Sequence, residues 1–132
     1  MNTTCIAPAT PVDVQASPGD LVARYHRDGF VNGGPLLAPA EVEVLKAELA
    51  RVIADQHSPG VPQPYNVRNM GKPDQPVWQI VNIWQASAAF AAVMRKPRLV
   101  ELLSALTGGR ELRLWHDQVQ YKPAGVGGVT WW

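Results

Sequence analysis

Residues Glu111 to Lys122 alternate along the chain, and neither set of alternate positions is cleanly apolar. Leu112, Leu114, His116, Gln118, Gln120 and Lys122 share one side of an extended segment; Arg113, Trp115, Asp117, Val119 and Tyr121 share the other. The division follows from strand geometry, in which successive side chains point to opposite sides. The polar side is either open to solvent or lines a polar cavity. Two half-polar faces on one strand suit a barrel with a wet interior better than an ordinary sandwich.

Most of what precedes this strand reads as helical. Residues 1 to 16 are expected to be a flexible leader, and residues 17 to 132 one domain. Ser17-Pro18 offers an N-cap followed by proline at the first helical position, and Asp28-Gly29 a stop suited to positive φ. Phe30-Val31 is a candidate short strand before the Asn32-Gly33-Gly34-Pro35 turn. A second helix opens at Pro39 and carries Val42, Leu45, Leu49, Val52 and Ile53 at helical spacing. His57 to Pro76 is expected to be a long proline-rich loop, of the kind that often carries function. Val77 to Ile83 then reads as a strand. Ala86 to Arg95 reads as a helix that Pro97 breaks and restarts, and Thr107-Gly108-Gly109 stops it.

Composition excludes several classes. With 46% hydrophobic and 17% charged residues the chain has an ordinary globular make-up. A formal net charge of +1 gives no phosphate-seeking surface, so no nucleic-acid partner is expected. Cys5 is the single cysteine, which rules out an internal disulfide and a cysteine-based zinc site and suits a cytoplasmic location. Gln75 to Met94 carries no charge, but Gln75, Gln79, Asn82, Gln85 and Ser87 make it costly in lipid. It reads as a buried strand and helix, with no membrane partner.

The three histidines, His26, His57 and His116, show no spacing that would converge on one metal ion. His116 and Asp117 are adjacent on a strand, so they face opposite ways and cannot readily chelate one ion; no His-x-Asp occurs anywhere. The chain has no phosphate-binding loop, and Gly125, Gly127 and Gly128 open no helix.

Two segments resemble the phytanoyl-CoA dioxygenase family. The first is Tyr25 to Val31 followed after a turn by Leu37 to Val42. The second is Leu112 to Pro123, followed by a Gly-rich loop and Trp131-Trp132. The resemblance implies an α+β fold: N-terminal helices plus the first strands of a double-stranded β-helix (cupin-like, jelly-roll) core. It implies a parent oxidoreductase that uses Fe(II) and 2-oxoglutarate to hydroxylate a small organic substrate. Lys122 and Gln118 match positions on the 2-oxoglutarate side, His116 a substrate-side position, and Trp132 a pocket-wall position. The family's next residue would be the histidine of its His-x-Asp metal motif. The chain is therefore expected to be an N-terminal fragment, inactive alone, binding neither iron nor cosubstrate by itself and exposing a barrel edge for association. The alternative is a small non-catalytic binding module derived from the same fold.

Overall fold

The computed structural model describes residues 17–109 and 111–126. Four α-helices and three strands follow one another as α1 (Pro18–Asp28), α2 (Pro39–Ala54), β1 (Asn66–Asn69), β2 (Trp78–Val81), α3 (Ala88–Met94), α4 (Pro97–Thr107) and β3 (Gln118–Tyr121). A short 3-10 turn, Ile83–Gln85, lies between β2 and α3. The strands form one antiparallel sheet in the order β1-β2-β3. The architecture is α+β, as expected.

The helix ends follow from their capping residues. The Ser17 hydroxyl accepts the Asp20 amide while the Asp20 carboxylate accepts the Ser17 N–H, satisfying the free donors of the first turn of α1. Gly29 closes the helix at φ 79°. The Glu41 carboxylate accepts the Ala38 N–H at 2.8 Å at the start of α2 and pairs with Lys96 between α3 and α4. Pro97 begins α4, as its position predicts, and Gly108 ends it at φ 67°. Among the described residues no helix is long and apolar enough to cross a membrane; the charge-free stretch divides into β2, the 3-10 turn and α3.

Three expectations are corrected. A strand lies inside the proline-rich loop, since Asn66–Asn69 pairs with Trp78–Val81. The expected strand over Glu111 to Lys122 joins the ladder only at Gln118–Tyr121. Its would-be partner stops at Val81, where Asn82 turns left-handed (φ 56°) and starts the 3-10 turn, so 111–116 find no neighbour. Phe30-Val31 is not a strand, and Phe30 is 74% exposed.

The β1–β2 hairpin is held by Asn69. Its side-chain oxygen accepts the Gly71 and Val77 amides at 2.9 and 3.0 Å, and its side-chain nitrogen donates to the Lys72 carbonyl at 3.2 Å. One side of the sheet is packed: Ile80, Ile83, Val52 and Ala86 are buried together, with Leu49, Ile53, Val67, Phe90 and Val119 around them. Val67 and Val119 are the register partners of Ile80, so the helices α2 and α3 cover the Val67–Ile80–Val119 side.

A polar network ties α2 to the start of α3. Arg51 donates to both carboxylate oxygens of Glu48 (2.9 and 2.8 Å) and to the Ala86 carbonyl (2.7 Å), while the Ser87 hydroxyl donates to Glu48 (2.6 Å). The Arg51 guanidinium and then the Ser87 hydroxyl hold the Glu48 carboxyl well below its ordinary 4.5, down to about 2. A carboxyl whose pKa is depressed on folding stabilises the native state above its unfolded pKa and loses that contribution as pH falls. Between pH 5 and pH 2.5 the wild type is therefore expected to lose about 1–2 kcal/mol more than Glu48→Gln, after allowance for the partial exposure of the pair. Urea titrations of both proteins at the two pH values check this, and parallel losses would remove Glu48 from the account.

Candidate functional site

The helix-covered side of the sheet fixes what the other side carries. Paired residues in an antiparallel ladder share a face, so the register places Arg68, Gln79 and Gln120 in one row and Asn66, Val81 and Gln118 in the next. Every one of these alternates with a residue of the packed side. Five of the six are polar, none is acidic, and the face lies opposite the helices. Arg68, Gln118 and Gln120 are exposed; Asn66, Gln79 and Val81 are half-buried by their neighbours on the sheet.

Of the residues singled out from sequence, Gln118 lies within β3 on this polar face. Lys122 follows the end of β3 at the next position of the same alternation after Gln120, and it is exposed. His116 precedes β3 and is exposed. Trp132 lies outside the described residues, as does Trp131. The expected parity of Gln118 and Gln120 against Val119 holds in the register, with Val119 on the packed side.

Asp117 is placed differently from His116. Its backbone N–H donates to the Asn82 side-chain oxygen at 3.2 Å, and its carbonyl accepts the Asn82 N–H at 3.0 Å. These two bonds carry the β2–β3 pairing one step past the strand ends. Burial pushes the Asp117 carboxyl above the ordinary range, against the pull of the backbone amides of Ile83, Asp117 and Asn82. One of its carboxylate oxygens is buried without a hydrogen-bond partner among the described residues, as is the Trp84 indole nitrogen. The main chain of Asp117 thus has the local bonding expected of a structural residue, and its carboxylate lies among the backbone amides of Ile83, Asp117 and Asn82 with one oxygen left unpartnered. Among the described residues, no three His, Cys, Asp or Glu side chains are grouped to hold a metal ion.

Sequence reading missed Arg68, Gln79 and Asn66 as members of this face. The available signal was the pair of short runs Asn66–Asn69 and Trp78–Val81 flanking Gly71, Pro73 and Asp74, which is a hairpin spacing. Five prolines in the segment hid it.

One comparison with known proteins bears on what such a chain belongs to. The chain is 30% identical over 126 residues to the ectoine dioxygenase of Streptomyces anulatus, a match covering 87% of this chain and 39% of that protein. The chain is thus a distant, partial relative of a dioxygenase and spans about two fifths of its length. No family model and no solved structure matches it.

Proposed function

We propose that this chain supplies the N-terminal part of an Fe(II)- and 2-oxoglutarate-dependent dioxygenase that hydroxylates a small organic substrate. The observation that carries the reading is the match to ectoine dioxygenase over 87% of the chain. The polar sheet face supports it, since that face would become the interior of a double-stranded β-helix once further strands extend the sheet. Lys122 binds a carboxylate of 2-oxoglutarate as a charge-assisted contact, Gln118 orients it through its amide, and His116 and Trp132 contact the substrate. The described residues do not provide the iron site that the reading requires. Its ligands would come from the remainder of the parent.

The test is an anaerobic titration of the purified chain with 2-oxoglutarate, with and without Fe(II). In place of the expectation that the chain binds no cosubstrate by itself, the exposed Lys122 predicts weak 2-oxoglutarate binding without iron, which Lys122→Ala weakens about tenfold, the scale of one lost charged hydrogen bond of roughly 1.5 kcal/mol. No visible charge-transfer band should develop. Binding that ignores Lys122→Ala overturns the role of the lysine. A band would show that the chain carries its own iron ligands, contrary to the reading.

A second reading is a small interaction module. The observation favouring it is the segment before β3, where Trp115 is 91% exposed and Leu112 and Leu114 are 42% and 52% exposed, a run suited to contact with another polypeptide.

A further inference from the structure

We propose that Arg68 anchors a carboxylate group of the substrate, with Gln79 and Gln120 beside it as amide donors; the assignment to a substrate rests on the dioxygenase reading above.

Three observations carry the inference. First, Arg68 stands in register with Gln79, and Gln79 with Gln120, so one guanidinium and two amides form a row across all three strands. Directly opposed side chains in such a row stand roughly 5 Å apart at their Cβ atoms, within reach of one ligand. Second, Arg68 makes no side-chain hydrogen bond or ion pair among the described residues. Lys72, Arg95 and Lys122 share that state, whereas Arg27 pairs with Asp28, Lys46 with Glu43, Arg51 with Glu48 and Lys96 with Glu41, and Arg98 donates to the Gly33 carbonyl; Arg68 alone of these unpaired cations lies within the paired sheet. Third, no carboxylate belongs to the two rows of this face, which leaves its charge uncompensated.

The chemistry selects the class of ligand. A planar guanidinium offers two parallel N–H donors that match a carboxylate, and glutamine amides add neutral donors at its flanks. One cation with neutral neighbours balances a monoanion; a phosphate dianion would call for further positive charge. The anion is distinct from the one assigned to Lys122. Arg68 lies on β1 and Lys122 follows β3, with β2 between them. Gln120 lies as far across the sheet, but Lys122 is also displaced two residues, roughly 7 Å, along the strand direction from the Arg68–Gln79–Gln120 row.

The probe is propionate, with propionamide as its uncharged twin, titrated into the full chain while the side-chain amide resonances of Gln79 and Gln120 are followed by NMR. Saturable shifts with propionate and none with propionamide are expected. Arg68→Ala should weaken the binding read at Gln79 about tenfold, and Arg68→Lys should restore part of it. Backbone amide dispersion checks that each variant is folded. Equal binding to Arg68→Ala, equal shifts with propionamide, or no saturable shift each overturns the proposal. Loss of propionate binding in Lys122→Ala alone also overturns it, because the face would then hold one anion at the lysine. The dioxygenase reading fails separately, through 2-oxoglutarate binding that ignores Lys122. In that case an Arg68-dependent propionate site survives and its assignment to a dioxygenase substrate does not.

Discussion

Gly71→Ala is expected to destabilise the chain by about 3 kcal/mol and to abolish the Gln79 and Gln120 amide shifts with propionate. Gly71 sits where the β1–β2 hairpin folds back on itself. A Cβ added there would collide with the Gln75 carbonyl oxygen and stand 2.9 Å from the Val77 amide nitrogen. Both obstacles are backbone, so no side chain can swing aside to make room. The Val77 amide is also committed, since it donates to the Asn69 side chain at 3.0 Å. Relief therefore requires the two strands to separate or slip, and a slip of one residue would turn Arg68 toward the helices. Gly60→Ala is the control. Gly60 has φ +74° but open space around its missing side chain, so alanine there should cost only about 1 kcal/mol of backbone strain. Urea denaturation of the two variants separates the effects. A Gly71→Ala cost no larger than that of Gly60→Ala would mean that the turn moves freely and does not fix the register of the site.

The hairpin also shows why part of the fold was legible in sequence and part was not. Helix boundaries were readable because each depends on a local feature. Ser17 with Pro18, Pro39, Pro97, Gly29 and Gly108 act within a turn of where they stand. β1 has no such local mark. Asn66-Val67-Arg68-Asn69 holds a single apolar residue, and only its pairing with Trp78–Val81 makes it a strand. The opposite error came from the same cause. Glu111 to His116 alternates well enough to be a strand but meets no partner, because the left-handed turn at Asn82 takes the neighbouring chain away. Alternation specifies which residues can share a face, and pairing decides where the face exists.

The candidate site divides in the same way. Gln118 and Lys122 were readable from alternation and from the resemblance to dioxygenases, since both lie on or next to β3. Arg68 and Gln79 belong to the face only through register, which joins residues separated by the turn at Gly71 and by two helices. His116 could be placed on the polar side by parity, but it precedes the paired part of the strand, and nothing in the ladder fixes it there.

Ile80→Ala is expected to cost about 3–4 kcal/mol, the largest effect of any single substitution considered. Ile80 is 0% exposed, and its register partners on both sides, Val67 and Val119, pack on the same cluster as Val52, Ile83 and Ala86. Truncation removes three carbon atoms from the centre of the sheet, where neither flanking strand can collapse without breaking its pairing. The fully buried set is small, with Ile80, Ile83 and Val52 its largest members. A loss of this size is a large share of the roughly 5–15 kcal/mol that stabilises a typical domain. The informative comparison is Gln79→Ala, one residue away. If the polar face is free of packing, that change should alter stability by no more than about 0.5 kcal/mol while weakening propionate binding. Measured together by urea denaturation and by NMR titration, the pair tests the two-sided sheet on which the site depends. Comparable losses of stability at both positions would mean that both faces are packed, and a face packed against protein has no room for a ligand beside Arg68.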